Sequence, residues 1–545
     1  MRKNAILSLL PVALMLTGIL AGRAFRTDSP EQKLLMAEKA IAQLYVDSVD
    51  ENKMVEDAIR GMLEKLDPHS AYSTPEETRE LNEPLQGNFS GIGITFNMSS
   101  DTLYVIQTVS GGPSERVGIL AGDRIIAVND TAIAGVKMKN SDVMKRLRGP
   151  KGTDVDVTVL RIAGPAEVDT IDFTITRADI PIYSVDAAYL VDASTGYIRI
   201  NRFAAETAKE VRDAIRRLKK EGMKQLILDL TDNGGGYLQA STQLLGELLP
   251  EGSLAVYTEG LNSPRYDATA QPEGKTPLFA DGRLVVMVNQ YSASASEITS
   301  GAVQDHDRGV VVGRRSFGKG LVQRPLPLPD GSMIRLTVAH YYTPTGRDIQ
   351  KPYSKGDEDA YRRDIEERFN HGELMHEDSI RRNDSTVYRT LRLKRPVYGG
   401  GGITPDAFVP LDTMEYTKYY RNVMAKGLIN RYAIGYVDAN RKEIRRRFKT
   451  DDAFVKGFEV TPDMLEALRA MADKEGVEFD REQFERSAPL FGMVIKGLIG
   501  RDIYDNATYF KVFNSHDPIF RRAYEIINSQ DYTTLLSPPL PSNEE

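Results

Sequence analysis

Strand-like and helix-like segments alternate between residues 180 and 412, and this alternation limits the fold more than any other feature of the sequence. GYIRINRF and KQLILDL are typical of buried strands, and AAETAKEVRDAIRRLKKEG between them has apolar residues at helical spacing. The same order recurs in RLVVMVN, ASEITSGAVQDH and RGVVVG. Strands separated by helices form mostly parallel sheets with helices on their faces. The pattern therefore predicts an α/β core.

The segments on either side have different patterns. Residues 29–86 are predicted to be helical, with a break at LDPHS, and residues 87–179 alternate short apolar strands with Gly, Asn and Asp turns, as in a small, partly open β-barrel. A charged insertion interrupts the core at 354–394, and residues 414–545 are polar and helical. The expected fold class is multidomain α/β and β, with a helical N-terminal region and a helical C-terminal extension.

The first 24 residues have the composition of an export signal. Arg2 and Lys3 precede an apolar run from Ala5 to Leu20, as in a signal peptide, and an uncleaved N-terminal anchor is the alternative. Both predict export, to the periplasm or to the periplasmic face of the inner membrane.

Composition excludes several chemistries. A net charge of −7 leaves no overall basic field, so nucleic acid is not an expected partner. The chain has no cysteine, which excludes disulfides, thiolate metal sites and a cysteine nucleophile.

Lys319 lies in GRRSFGKG, which nearly matches a phosphate-binding loop. Gly320 stands where that loop needs a hydroxyl, and three prolines follow within LVQRPLPLP, so a strand or turn is expected instead of the required helix. A lysine that does not bind phosphate can act as a base. Glycines flank Lys319 and no acidic residue lies within four positions, which favours a lowered pKa.

Ser294 is the candidate nucleophile for such a base. It lies in NQYSASASEI, between an apolar strand and a helix, where hydrolases of α/β fold expose their nucleophiles. A capping box formed by Ser294 and Glu297 is the structural alternative. His306 is an alternative base, but it lies where the helix ends in polar residues and is expected to face solvent.

The barrel segment contains a candidate peptide-binding loop, formed by Gly91, Ile92, Gly93 and Ile94 at the start of a strand. Glycines there let backbone N–H groups converge on the carboxylate of a chain terminus, and the strand edge can pair with an extended peptide. A tight turn leading into the strand is the simpler interpretation.

Together these motifs resemble the carboxyl-terminal processing proteases, also called tail-specific proteases. The resemblance rests on SASASEI, SFGKGLVQ, ILDLTDNGGG, GIGI and LRGPKGT, with LDPHSAY, YYTPTGRDIQ and GITPD, and extends over about residues 31–412. It implies a PDZ domain at 87–179 whose GIGI loop receives substrate C-termini, and a Ser-Lys peptidase core at 180–412.

The resemblance also implies the roles of individual residues. Ser294 would be the nucleophile, Lys319 the general base and Gln323 the residue that orients the lysine, while Gly235 or Gly236 would form the oxyanion hole with Ala295. It implies protein or peptide substrates with apolar C-termini, and no metal or cofactor. A non-catalytic periplasmic PDZ adaptor is the alternative function, and a homo-oligomer and attachment to the inner membrane through the N-terminus stay open.

Overall fold

The computed structural model describes residues 29–99, 101–164, 167–274, 276–381 and 386–538. The signal or anchor expected at residues 1–24 lies outside these ranges.

The N-terminal region is helical, as expected. Its elements are α1 (Pro30–Leu44), α2 (Glu51–Leu63), β1 (Ala71–Ser73) and α3 (Pro75–Gln86). Ser29 caps α1 by accepting from the Gln32 amide, and Thr74 and Glu77 form a capping box at the start of α3. None of the residues of α1 is buried.

Residues 88–181 form the barrel. Its elements are β2 (Asn88–Gly91), β3 (Ile94–Ser99), β4 (Thr102–Thr108), α4 (Pro113–Val117), β5 (Arg124–Val128), β6 (Thr131–Ala132), α5 (Asn140–Leu147), β7 (Asp154–Gly164), β8 (Glu167–Thr176) and β9 (Ala178–Pro181). The main sheet has the order β3-β4-β5-β7-β8, so β3 is an edge strand. β2 pairs with β9, which joins the beginning of the barrel to its end.

A six-stranded sheet forms the centre of the α/β core. Its strands and the helices between them are β10 (Val185–Leu190), β11 (Thr195–Ile200), α6 (Thr207–Glu221), β12 (Gln225–Asp229), α7 (Leu238–Leu248), β15 (Leu284–Val288), α8 (Ala295–Asp305), β16 (Val310–Gly313) and β21 (Ala407–Phe408). The order is β10-β11-β12-β15-β16-β21, and only the β10–β11 pair is antiparallel. Helices α6, α7 and α8 cover one face with a large apolar cluster. The carboxyl ends of the parallel strands therefore meet at one edge, where ligands of open α/β sheets bind.

A second, antiparallel sheet flanks this edge. It contains β13 (Leu254–Gly260), β14 (Ser263–Thr269), β17 (Leu321–Pro327) and β18 (Met333–Tyr342), with β1 paired to β18. The insertion contributes α9 (Glu358–Asn370), a 3₁₀ turn (Glu377–Ser379) and most of a hairpin, β19 (Val387–Arg389) with β20 (Pro396–Tyr398).

The C-terminal extension is helical, as expected. It consists of α10 (Lys418–Ala425), α11 (Leu428–Arg447), α12 (Asp451–Gly457), α13 (Pro462–Lys474), α14 (Arg481–Ile503), α15 (Asn506–Asn514), α16 (Pro518–Asn528) and α17 (Asp531–Leu535). Helices α10 to α15 share one apolar core. Helix α16 instead packs Ile519, Phe520 and Ile526 on the second face of the central sheet. Helices therefore cover both faces of the central sheet, and the C-terminal extension provides those of the second face.

Candidate active site

Ser294 lies on a strained turn between β15 and α8. Every residue of β15 is buried, and the chain then turns through Asn289–Ala293, where the Ser292 hydroxyl donates to the Leu230 carbonyl at 2.8 Å. Ser294 itself has φ 55° and ψ −113°, a conformation that non-glycine residues rarely adopt. Such strain costs about 1–3 kcal/mol and is typical of functional sites.

Glu297 joins this turn to the loop that carries Lys319. Its side chain is fully buried, and Oε2 accepts from the backbone amides of Ser294 at 2.8 Å and Lys319 at 2.9 Å. Oε1 accepts from the Ser316 hydroxyl at 2.6 Å and the Gly318 amide at 2.7 Å. Burial raises the pKa of Glu297, and these four hydrogen bonds oppose the rise. Glu297 does cap Ser294, but the same carboxylate also brings Ser294 and Lys319 together.

Lys319 is partly buried at the end of a loop that begins at Arg314. The loop leads into β17, so the helix that a phosphate loop requires is not there. Burial and the positive charge of Arg335 lower the pKa of Lys319, whereas Glu297 and Asp67 oppose that shift. A lysine in such a site is neutral at lower pH than an exposed lysine and can accept a proton.

Two expected contacts of Lys319 are not formed in this structure. Within the described residues, no hydrogen bond joins its ammonium nitrogen to Oγ of Ser294 or to the amide of Gln323. Gln323 Nε2 donates instead to the Leu321 carbonyl at 3.1 Å and to Oγ1 of Thr337 at 3.4 Å. Catalytic hydrogen bonds are often loose without substrate, so the roles of Lys319 and Gln323 stay predictions.

The glycine loop after β12 lies against the Ser294 turn. The Asn233 carbonyl accepts from the Ala293 amide at 3.0 Å and from the Ser296 hydroxyl at 2.9 Å. The Gly235 amide donates to the Asn233 side chain at 2.8 Å, whereas those of Gly236 and Ala295 have no acceptor within the described residues. The free amides of Gly236 and Ala295 are thus available to an oxyanion.

The GIGI loop has free amides as well. Gly93 has φ 76°, and the Ile92 carbonyl accepts from the amide and the hydroxyl of Ser114 at 3.0 and 2.7 Å. No described group accepts from the amides of Ile92 or Gly93. Gly91 ends β2 and Ile94 begins the edge strand β3. The loop could therefore bind a carboxylate while the edge of β3 pairs with the chain that carries it.

Comparisons with known proteins match four parts of the chain to family models. Residues 194–359 match Peptidase family S41, 90–175 a PDZ domain, 23–78 the activating protease CtpB N-terminal domain, and 419–505 a family of unknown function.

Named relatives identify the family. The carboxy-terminal-processing protease of Bartonella bacilliformis is 35% identical over 314 residues, which are 56% of this chain and 69% of that protein. The chain belongs to the carboxy-terminal processing proteases. The carboxyl-terminal-processing protease of Synechocystis sp. is 38% identical over 301 residues, covering 54% of this chain and 68% of that protein. A solved photosystem II D1 C-terminal processing protease is 31% identical, with a TM-score of 0.32, and the match covers 59% of this chain and 91% of that one.

The family models and the curated relatives confirm the family inferred from the motifs and the multidomain fold class. The carboxy-terminal processing protease described here is a serine-type protease with a PDZ domain.

Sequence reasoning missed two groups beside Ser294 and Lys319 in this processing protease. The Tyr341 hydroxyl lies 3.1 Å from the Ser294 carbonyl and also contacts the Lys319 carbonyl. His69 lies 2.9 Å from the Tyr361 hydroxyl, and burial together with the charge of Lys319 lowers the pKa of His69 to about 3. This histidine lies in the LDPHS segment that breaks the N-terminal helices. Tyr341 has no local sequence signal, because its contacts depend on how two sheets meet.

Neither a metal site nor a membrane span is found in the described ranges. Their His, Asp and Glu side chains form no group of three that could hold a metal ion, and none of their helices is long and apolar enough to cross a bilayer.

Proposed function

We propose that this protein is an exported endopeptidase that cleaves substrate proteins through an acyl-enzyme on Ser294, with Lys319 as general base. The observation that carries the proposal is the buried Glu297 carboxylate, which binds the amides of both residues through one oxygen atom. A capping residue alone has no reason to bind the second loop.

The mechanism uses only groups of this chain. Neutral Lys319 accepts the proton of the Ser294 hydroxyl as Oγ attacks the scissile carbonyl. The free amides of Gly236 and Ala295 stabilise the oxyanion, a contribution that is typically worth about 10²–10³ in rate per donor. The lysine then protonates the leaving amine, and water attacks the acyl-enzyme with Lys319 again as base. Gln323 would orient the lysine once its side chain turns from Thr337.

Substrate selection would depend on the PDZ domain. The amides of Ile92 and Gly93 support binding of a free C-terminal carboxylate, and the edge of β3 supports pairing with an apolar tail. Tail binding would move the PDZ domain and complete the site, with LRGPKGT at the moving edge. Equal cleavage of free-acid and amidated tails would contradict this part of the proposal.

Location and assembly are also proposals. The composition of residues 1–24 supports export to the periplasm or attachment to the inner membrane facing the periplasm. Exposed Leu35, Leu44 and Val46, in and next to the unburied helix α1, support a homo-oligomer.

The test is cleavage of an unfolded reporter with an apolar C-terminal tail by the exported chain and by Ser294→Ala and Lys319→Ala variants of confirmed fold. We expect wild type to cleave and both variants to lose activity by at least about 10³-fold. Cleavage by both variants at the wild-type rate would eliminate the dyad. If the wild-type protein binds the tail without cleaving it, the adaptor function replaces the protease.

A further inference from the structure

The Tyr341 side chain lies between the two halves of the active site, which come from different sheets. Tyr341 is near the end of β18, and its backbone amide donates to the Gly320 carbonyl at 2.8 Å. Its side chain is 2% exposed, within the apolar cluster of the core. Tyr341 is thus fixed by the strand that neighbours the Lys319 loop.

Its hydroxyl reaches the main chain of both candidate catalytic residues. The oxygen lies 3.1 Å from the Ser294 carbonyl, and it contacts the Lys319 carbonyl at hydrogen-bonding distance. The Ser294 carbonyl also accepts hydrogen bonds from backbone amides in the first turn of α8. The Lys319 carbonyl, in contrast, has Tyr341 as its only donor within the described residues. The carbonyl of the peptide after Lys319 is therefore held by one phenol group, while the N–H of the same peptide, that of Gly320, donates to the Gln350 side chain at 2.9 Å.

This contact complements that of Glu297. The carboxylate binds the amides of Ser294 and Lys319, and the phenol, with one proton to donate, lies within hydrogen-bonding distance of both carbonyls, so the two residues are linked on the amide side and on the carbonyl side. Ser294 has an unfavourable backbone conformation that its surroundings must maintain. Small errors in the position of reacting groups reduce rates strongly.

Given the catalytic pair proposed above, we propose that Tyr341 is a positioning residue, whose hydroxyl fixes the main chain of Ser294 and Lys319 at the separation that acylation requires. Within the described residues, its hydroxyl forms hydrogen bonds to the carbonyls of the two residues and none to Oγ of Ser294 or to the ammonium group of Lys319. Its effect would therefore pass through the backbone and leave the proton-accepting group of Lys319 unchanged.

The test compares Tyr341→Phe with Tyr342→Phe in the full chain. Tyr342 is the next residue of the same strand, and its ring stacks on Tyr257 at 4.8 Å between centroids. Each substitution removes one hydroxyl and keeps the ring. For Tyr341→Phe we expect kcat to fall about 10- to 100-fold, with KM and the pH midpoint of activity unchanged, whereas Tyr342→Phe stays close to wild type.

Pre-steady-state acylation by an activated peptide ester separates positioning from folding. We expect the Tyr341→Phe burst to be slower but of full amplitude, because every molecule still acylates. A reduced burst amplitude at the wild-type rate would show a purely structural role, and kcat close to wild type would also overturn the inference. Equal losses in the two variants would overturn it as well.

The dyad variants distinguish this inference from the proposed function. Inactive Ser294→Ala and Lys319→Ala with a fully active Tyr341→Phe would leave the protease mechanism intact and remove only the role of Tyr341. Activity in both dyad variants would remove the mechanism and the role together.

Discussion

At the scale of single residues, Gly235 approaches the Ser294 turn more closely than a side chain permits. A Cβ added at Gly235 would lie 2.7 Å from Cβ of Ser294 and 2.8 Å from the Ala293 carbonyl oxygen, and its φ is 96°. Gly234, its neighbour, has open space around such an atom. Close packing therefore requires glycine at one position and not at the next.

We expect Gly235→Ala to reduce kcat/KM by at least about 10²-fold, because the nucleophile turn must shift and small shifts of reacting groups are costly. Gly234→Ala should remain within about twofold of wild type, since nothing is displaced. Cleavage kinetics of both variants, with circular dichroism to verify folding, check the pair. Equal activities would contradict the contact.

The lowered pKa of Lys319 predicts a pH profile. A lysine base works when neutral, so kcat/KM should rise with pH through its pKa, with a midpoint below the ordinary value of 10.5. Arg335 contributes to the shift through its charge. Arg335→Gln should therefore move the midpoint to higher pH, whereas Arg335→Lys keeps the charge and should move it less. An identical midpoint in the Gln variant would show that Arg335 has no influence.

At the scale of elements, the insertion supports the loop that carries Lys319. Arg368 of α9 donates to the backbone carbonyls of Arg315 at 2.7 Å and Ser316 at 3.1 Å. Buried Glu373 pairs with both arginines, at 2.7 Å in each case. Burial alone would raise the pKa of Glu373, but the two guanidinium groups lower it. The insertion is therefore part of the scaffold of the proposed active site.

Glu373→Gln should destabilise the protein by about 3–5 kcal/mol, because it leaves two buried guanidinium groups without their counter-ion. Glu358→Gln, which removes an exposed pair with Arg362, should cost less than about 1 kcal/mol. Urea unfolding measures the free energy of unfolding of both variants. The stabilisation by Glu373 is complete above the ordinary carboxyl pKa of 4.5 and is lost as the pH falls through its lowered pKa, so Glu373→Gln should converge with wild type in acid.

The difference between local and distant contacts explains what the sequence could predict. The strand–helix alternation, the Ser294 turn and the strand after Lys319 depend on local periodicity, glycine and proline, so they could be predicted from the sequence. Glu297 was recognised only as a cap, because its second partner lies 22 residues away on another loop. The contact of Tyr341 and the packing of α16 on the central sheet depend on tertiary arrangement, which periodicity does not encode.

At the scale of the whole molecule, the C-terminal extension contacts both the peptidase core and the PDZ domain. Helix α16 covers the second face of the central sheet. Helix α11 packs Ile434 against Tyr104 and Ile106 of β4, and its Asp438 accepts from Tyr104 at 3.2 Å and pairs with Arg124 of β5. The extension thereby places the PDZ domain relative to the peptidase core.

If this contact sets the PDZ position, weakening it should loosen the PDZ domain without unfolding the core. We expect Asp438→Asn to increase hydrogen exchange in β4, β5 and the middle of α11, because the amide cannot replace the charged pair with Arg124. Glu443→Gln, at an exposed position of the same helix, should leave exchange unchanged.

The preference for free-acid over amidated tails should fall in Asp438→Asn alone, since the proposed tail signal must pass through a PDZ domain of defined position. Unchanged exchange would show that the apolar contacts of Ile434 suffice, and faster exchange with an unchanged tail preference would separate PDZ docking from substrate selection.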